Sequence, residues 1–194
     1  YGLDISAYST QVSFFDYDND GDLDCFMINN SPIPVNQLGY VNRRDLPEQE
    51  WPVGNFLKGG GDHLFKNDNG HYSEVTKKAG IHGSLISFGL GVSVGDINND
   101  GWLDVYVSND SYERDYLYIN QKNGTFKDEF EECIEHTSMS SMGADFADIN
   151  NDGYQDIFNT DMLPLNDFRL KTTGSFDNVD LFRSKINSGL YYQY

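Results

Sequence analysis

The hydrophobic positions of this chain fall in short runs that clusters of Asp, Asn and Gly interrupt. Residues 25–28, 105–108 and 157–160 are rich in the β-branched and aromatic side chains that fill strands. Each of these runs follows an acidic cluster, and another short apolar run precedes that cluster. The pattern therefore predicts an all-β chain in which strand, loop and strand recur.

A second hydrophobic pattern follows the first. Residues 63–72 and 116–126 each contain an apolar run, an Asn/Gly turn and an aromatic restart, which is typical of a β-hairpin. One repeat unit is thus predicted to hold four strands. The strand that enters each cluster mixes small and apolar residues, as in residues 87–95 and 141–147, which favours an inner strand where neighbouring sheets approach closely.

The first unit is longer than the second because residues 31–61 are inserted between its second and third strands. The insertion is rich in proline and ends in three consecutive glycines, so we predict a loop excursion. It is either an irregular covering loop or a binding surface. The residues that could furnish such a surface are Tyr40, Arg43, Arg44 and Trp51.

The other segments predict smaller elements. In chain order these are a turn over residues 77–83 that ends at Gly80, a strand with a helical turn over 126–135, a polar extension over 165–188 with a short helix at 175–185, and the start of a strand at 189–194. The whole of residues 1–194 is therefore predicted to be one partial domain that stops inside a fourth unit.

The three acidic clusters share the pattern D-x-[DN]-x-D-G-x-x-D and begin at Asp16, Asp96 and Asp148. Side-chain oxygens at positions 1, 3, 5 and 9, with the carbonyl of position 7, can converge on one hard cation, and calcium suits an all-oxygen cage. Glycine at position 6 permits the positive φ that turns the backbone around the ion. Without a cation, the gathered carboxylates would repel one another.

We therefore predict up to three structural calcium ions, in loops near residues 12–28, 88–108 and 141–160. The alternative for a single cluster is an ordinary Asx turn in a hairpin, but three complete copies favour calcium. The predicted ligands are Asp16, Asp18, Asp20, Asp22 and Asp24 in the first loop, Asp96, Asn98, Asp100, Trp102 and Asp104 in the second, and Asp148, Asn150, Asp152, Tyr154 and Asp156 in the third, with Asp22, Trp102 and Tyr154 binding through their backbone carbonyls.

An EF-hand begins in the same way, but it needs a bidentate Glu at position 12 and a helix on each side. Position 12 is Met27, Val107 and Asn159 in the three copies, none of them a carboxylate. The sequence therefore favours strands on both sides of each loop.

Composition narrows the classes of partner. The 194 residues include 31 Asp and Glu but only 13 Lys and Arg, which gives a net charge of −18. This balance argues against nucleic acid and anionic membrane surfaces as partners, because both need basic patches. The sequence also lacks an apolar run long enough to span a membrane. It opens at Tyr1 without a signal peptide, so we expect a mature or truncated piece.

Two cysteines are too few for a disulfide framework. Cys25 stands where the other copies have Val105 and Ile157, so we interpret it as a small buried hydrophobe, with a Cys25–Cys133 bridge as the alternative. Asn-rich turns also generate three sequons, for which we prefer the unglycosylated state. They begin at Asn29, Asn109 and Asn123.

The acidic loop, followed by the hairpin pattern L-[FY]-x-N…G-x-[FY], resembles the FG-GAP/VCBS repeats of integrin α-subunit propellers and of many bacterial surface proteins. The resemblance covers most of residues 12–160. It implies a β-propeller of four-stranded blades, about three complete and part of a fourth, with calcium held between the first two strands of each blade. Family propellers close a ring of about seven blades, so a longer propeller is expected. Residues 161–164 and 192–194 resemble a bacterial cell-surface type with an ASPIC/UnbV-like region.

The leading interpretation is a non-enzymatic, calcium-stabilised propeller segment that packs with the remainder of its own propeller and presents loops to a protein or glycan. Weak calcium sites fill at extracellular concentrations, which points to a secreted, cell-surface or bacterial outer-membrane location. One alternative is a polysaccharide lyase or hydrolase, which needs a paired acid and base. Another is a structural subunit of a larger surface assembly. The histidines available for catalysis are His63, His71, His82 and His136.

Overall fold

The computed structural model describes residues 1–34, 37, 44–110, 112–138, 140–162 and 168. In these residues the strands form three antiparallel sheets, two with four strands and one with two. The predicted helix at 175–185 and strand at 189–194 lie outside the described residues, as do Tyr40 and Arg43.

Each four-stranded sheet is one repeat unit in which the strands follow one another in chain order. The first blade contains β1 (Tyr8–Phe15), β2 (Asp24–Asn30), β3 (His63–Asp68) and β4 (His71–Glu74). The second contains β5 (Gly89–Gly95), β6 (Asp104–Asn109), β7 (Tyr116–Asn120) and β8 (Phe126–Asp128). The predicted all-β class and the predicted hairpins are thereby confirmed.

The third sheet pairs β9 (Ser141–Ala147) with β10 (Asp156–Asp161). These two strands flank the third acidic loop just as β1 and β2 flank the first. The sequence that follows them lies largely outside the described residues. The described part therefore contains two complete blades and the first strand pair of a third.

Helical turns occupy the connections. The described part of the insertion includes the 3₁₀ turns Glu48–Glu50 and Asn55–Leu57. Helix α1 (Thr76–Ala79) links the first blade to the second and ends at Gly80, whose φ of 79° is left-handed. Helix α2 (Phe130–Cys133) follows the second blade. The predicted turn at Gly80 and the predicted helical turn after β8 are both observed.

The main core lies between the first two blades. Phe26 and Leu64 of the first blade and Val105 and Tyr118 of the second are fully buried in one cluster. The rings of Phe26 and Tyr118 lie 6.3 Å apart. Burial of these facing side chains supplies the hydrophobic free energy that holds the blades together.

The inner strands approach one another closely, as their small residues predict. A Cβ atom on Gly91 of β5 would lie 2.9 Å from the Cα atom of Gly143 in β9. On the other side of β5, the Thr10 hydroxyl donates to the Gly89 carbonyl oxygen at 2.6 Å. A larger side chain in place of Gly91 would force the second and third sheets apart.

In each complete blade, a buried aspartate accepts a backbone hydrogen bond at the end that lies away from the acidic loop. Asp62 accepts the N–H of Asn29 at 3.1 Å, and Asp115 accepts the N–H of Asn109 at 2.7 Å. Burial raises the pKa of Asp62 to about 7 and that of Asp115 to about 6. Asp115 also accepts from the Asn159 amide at 2.8 Å, which joins the second blade to the third.

The insertion covers part of the core through Trp51. Trp51 is only 2% exposed, packs against Ile33 and Leu85, and donates its indole N–H to the Leu46 carbonyl oxygen at 3.0 Å. Of the two alternatives for Trp51, the covering loop is therefore observed and the binding surface is not, because its large apolar area anchors the loop. Arg44 is likewise engaged in an ion pair, which it forms with the buried Glu113 at 2.8 Å.

Both cysteines are free, so the alternative of a Cys25–Cys133 bridge is wrong. Cys25 is fully buried, as expected for a small hydrophobe, and burial raises its pKa to about 11. Asn29 and Asn109 are fully buried as well, so a glycan could not be carried there without disrupting the strands.

We expect the replacement Gly91→Ala to destabilise the chain by about 1–3 kcal/mol, because the added methyl group meets backbone rather than a movable side chain. Urea denaturation measures the change. Gly143→Ala is the matched control: a Cβ atom there meets nothing within 4 Å, so its effect should stay within about 0.5 kcal/mol. Equal effects of the two substitutions would contradict the close approach of β5 and β9.

Candidate metal centres

The three acidic loops have the same backbone conformation. The glycine at position 6 has a φ of 93°, 85° and 92° in Gly21, Gly101 and Gly153, as the sequence predicts. The residue at position 4 is also left-handed in every loop, with a φ of 57–60°, and it is Asn each time. Asn tolerates this conformation better than most residues. Two left-handed residues in one turn wrap the chain around a common centre.

The first aspartate of each loop closes the turn. In the first loop, the two carboxylate oxygens of Asp16 accept the N–H groups of Asp20 at 3.0 Å and Gly21 at 2.9 Å. The same pairs of bonds form at Asp96 and Asp148, with lengths of 2.8–3.0 Å. The aspartate at position 5 in turn accepts the N–H of position 7. Side-chain oxygens are thereby directed to the inside of the loop.

The aspartate at position 9 ties the loop to the sheet. Asp24 accepts the N–H of Tyr17 at 3.0 Å and that of Asn67 in the hairpin at 2.7 Å. Asp104 makes the equivalent bonds to Ile97 and Asn120, at 3.1 and 2.8 Å. Both carboxyl groups are fully buried, and burial raises each pKa to about 6. Ionised carboxylates so enclosed cost stability, which a bound cation would offset.

The asparagine of the L-[FY]-x-N hairpin ties the hairpin to the acidic loop, a role that its place in the motif does not by itself predict. The side-chain amide of Asn67 donates to the Leu23 carbonyl oxygen at 3.0 Å. The amide of Asn120 donates to the carbonyl oxygens of Leu103 at 3.2 Å and of Tyr17 at 2.8 Å. Tyr17 belongs to the first acidic loop, so Asn120 links the loops of neighbouring blades.

The first loop has the acceptor geometry of a cation site. Carboxylate oxygens of Asp16, Asp18 and Asp24 all lie within 4.8 Å of one another. The Oδ1 atom of Asp18 is buried and forms no hydrogen bond. A buried acceptor without a donor is costly, and a hard cation is the partner that suits gathered carboxylates. These residues fit calcium.

The other predicted ligands take matching places. At position 3, the Oδ1 atoms of Asn98 and Asn150 accept the N–H of position 5 at 3.0 and 2.9 Å. The first aspartate of the loop accepts the same N–H. The Asp22 side chain accepts the N–H of Asn69 at 2.8 Å. This leaves the Asp22 backbone carbonyl as the predicted ligand of position 7. The second and third loops thus repeat the hydrogen-bond pattern of the first, although among the described residues only the first loop brings three carboxylates within 4.8 Å of one another.

Two lysine side chains reach into the loops. No local sequence pattern predicts these contacts. The Lys66 ammonium contacts Asp18 and lies 2.7 Å from Oδ2 of Asp20. Lys122 lies 3.2 Å from Oδ2 of Asp100 in the second loop. The hydrogen bond with Asp18, followed by that with Asp20, raises the pKa of Lys66.

The histidines named as catalytic candidates occupy separate elements. His63 begins β3 and lies 3.0 Å from Glu74, His71 begins β4, His82 packs against the ring of Tyr116, and His136 follows α2. His63 and Glu74 line an open cavity of about 530 Å³ beside the insertion. The exposed ring of Phe56 lies at the same cavity.

Comparison with known proteins identifies the family to which this repeat architecture belongs. The family described as FG-GAP-like repeat matches residues 54–107 and 96–158. The chain belongs to the FG-GAP-like repeat family. The predicted resemblance is thereby confirmed, while the bacterial type and the ASPIC/UnbV-like region stay predictions.

Curated relatives of this FG-GAP chain include integrin α subunits. It is 33% identical to integrin alpha-3 of Mus musculus over 107 residues, which cover 48% of this chain and 10% of that protein. It is 37% identical to integrin alpha-PS5 of Drosophila melanogaster over 100 residues, which cover 43% and 10%. Integrin alpha-6 of Gallus gallus is 35% identical over 94 residues, which cover 39% and 8%. The FG-GAP chain thus spans about a tenth of these relatives.

We expect Asn120→Ala to destabilise the FG-GAP chain by about 2 kcal/mol, because the carbonyl oxygens of Tyr17 and Leu103 lose their donor. The N–H bond from residue 120 to Asp104 survives the substitution, while the side-chain oxygen that accepts the Lys122 N–H at 2.9 Å is lost together with the donor. Chemical denaturation measures it. Asn123→Ala is the control, since that exposed side chain bonds only to Thr125. A loss no greater than that of the control would refute the linking role.

Proposed function

We propose that this chain is a non-enzymatic, calcium-stabilised part of a β-propeller in a secreted or cell-surface protein, and that the propeller binds a protein or glycan ligand. The observation that carries the proposal is the first loop, where carboxylate oxygens of Asp16, Asp18 and Asp24 converge and the Asp18 Oδ1 atom is buried and unpartnered. Family membership supports the propeller, and the integrin relatives support the surface location.

Calcium has a structural role in this proposal. The side chains of positions 1, 3, 5 and 9 hold the ion, and the carbonyl of position 7 completes the cage. When bound, the ion supplies positive charge at a place where carboxylates otherwise repel one another. The aspartates at position 9 orient the loop through their bonds to the hairpin, so the free energy of ion binding adds to the free energy of folding. The ligands are the predicted sets of all three loops.

The remainder of the same propeller is the first partner. The outer face of β1 leaves Tyr8 54% and Phe14 53% exposed, and the outer face of the third sheet leaves Phe158 58% exposed. Propeller blades cover such faces by packing on one another around a ring. Further blades on both sides would remove these aromatic side chains from water.

The insertion side is the proposed ligand face. Its cavity of about 530 Å³ combines the exposed Phe56 ring with Lys58, Lys77 and Glu74. An exposed aromatic ring beside polar and charged groups is typical of surfaces that bind sugars or peptides.

Among the described residues, no helix is both long and apolar enough to cross a bilayer.

Removal of calcium tests the structural role. At calcium concentrations about a hundred times the dissociation constant, one site contributes about 2.7 kcal/mol, so excess chelator should lower the melting temperature by roughly 5 °C or more. Asp100→Ala should reproduce part of that loss in calcium and show a smaller response to chelator. Differential scanning calorimetry measures both.

Glu135→Ala, which removes an exposed carboxylate outside the loops, serves as the control and should leave the response to chelator unchanged. Identical melting of the wild-type chain in calcium and in chelator would reject the structural role of calcium.

A further inference from the structure

The Lys66 side chain lies where the proposed calcium charge belongs. Its ammonium contacts carboxylates at positions 3 and 5 of the first loop, Asp18 and Asp20. These two positions supply side-chain ligands in the predicted cage. The ammonium contacts Oδ2 of each carboxylate, so it would repel a calcium ion bound to the same two side chains at short distance.

The need for such a counter-charge is greatest in the first loop. All five ligand positions there are aspartates, from Asp16 to Asp24, whereas the second and third loops have Asn at position 3 and an aromatic residue at position 7. Five carboxylates within one turn repel one another more strongly than three. The single positive charge of Lys66 reduces that repulsion in the absence of a divalent ion.

The lysine comes from outside the loop and has no counterpart in the second blade. Lys66 lies in β3 one residue after Phe65, which pairs with Cys25. In the second blade, Tyr118 pairs with Val105, so the residue that follows is Ile119. Lys122 reaches the second loop from the hairpin turn instead, and its ammonium contacts a carboxylate of that loop only at Asp100. The first loop therefore has the more extensive ammonium contact of the two.

Open space adjoins the Lys66 side chain. A cleft of about 310 Å³ between the first loop and the second hairpin is lined by Lys66, Asp18 and Trp102, together with Lys78 and Lys122. Lys66 is itself about one-third exposed. Its flexible stem can therefore leave the loop for solvent without moving a strand.

We propose that Lys66 is the built-in counter-cation of the first loop, and that calcium binds there by displacing the Lys66 ammonium from Asp18 and Asp20. The inference rests on the proposed calcium-binding function. It assigns Lys66 two effects: it stabilises the calcium-free loop, and it holds the calcium affinity of that loop below the value that five aspartates alone would give. Lys66 is thus a residue that sets affinity, not a ligand.

The test isolates the first loop in a chain that carries Asp100→Ala and Asp152→Ala, which weaken the other two loops. Lys66→Met, which keeps an unbranched stem but removes the charge, is compared with Lys66→Arg, which keeps the charge. Lys127→Met is the control, because the Lys127 ammonium pairs with Glu129 and Glu132 outside the loops. Isothermal titration calorimetry with calcium chloride measures affinity, and calorimetric melting in chelator and in saturating calcium measures stability.

We expect Lys66→Met to bind calcium about tenfold more tightly than its parent, because one positive charge has left the site. Its melting temperature should fall in chelator and equal that of the parent in saturating calcium. Lys66→Arg and Lys127→Met should keep the parent affinity. A lysine with a merely structural role would lower the melting temperature equally in both conditions.

Unchanged or weaker calcium binding by Lys66→Met would overturn the inference, and Lys66→Gln repeats the comparison if the Met variant does not fold. Calcium binding by the intact wild-type chain separates the two proposals. If that chain binds calcium but Lys66→Met does not tighten the first loop, only the role of Lys66 fails. If the wild-type chain binds no calcium, the proposed function fails with it.

Discussion

The acidic bend between the first two strands is the constraint that recurs in each sheet, and in the first loop the carboxylates of Asp16, Asp18 and Asp24 converge there. The loop sequence places aspartates at positions 1, 5 and 9, and left-handed residues at positions 4 and 6 turn their oxygens inward. The backbone N–H groups of the loop satisfy part of this acceptor capacity. The hairpin supplies the next donors through the N–H groups of Asn67 and Asn120. Asp18 Oδ1 still lacks a donor, and the proposed cation would supply its partner.

The two ends of a blade are stabilised by different chemistry. At the loop end, charge is gathered where solvent and ions can reach it. At the other end, Asp62 and Asp115 are buried carboxyl groups, and burial raises the pKa of each. Each accepts an N–H from the strand beside it. Between these ends the apolar core and the glycine contact of Gly91 hold neighbouring blades together. In the proposed role, calcium would act on the bend of a blade whose packing is already set by its hydrophobic side chains.

Local pattern made the strands, loops and hairpins predictable from the sequence. The β-branched and aromatic runs, the D-x-[DN]-x-D-G loops and the Asn/Gly turns each report their own backbone conformation. The sequence left two alternatives open for Trp51, because proline-rich composition marks a loop without showing which of its side chains turn inward. The contacts of Lys66 with Asp18 and of Asp62 with Asn29 could not be predicted, because the partners lie far apart in the chain. Position 4 of the loop did carry a signal, since Asn stands there in all three copies, and Asn is enriched in left-handed conformations.

The central claim is that one calcium ion completes each acidic bend. Anomalous X-ray scattering from crystals of the chain grown in calcium tests it directly. The account predicts an anomalous peak inside each of the three loops, surrounded by oxygens of positions 1, 3, 5, 7 and 9 at calcium distances of about 2.3–2.6 Å. Well-ordered loops without such peaks at saturating calcium would contradict it.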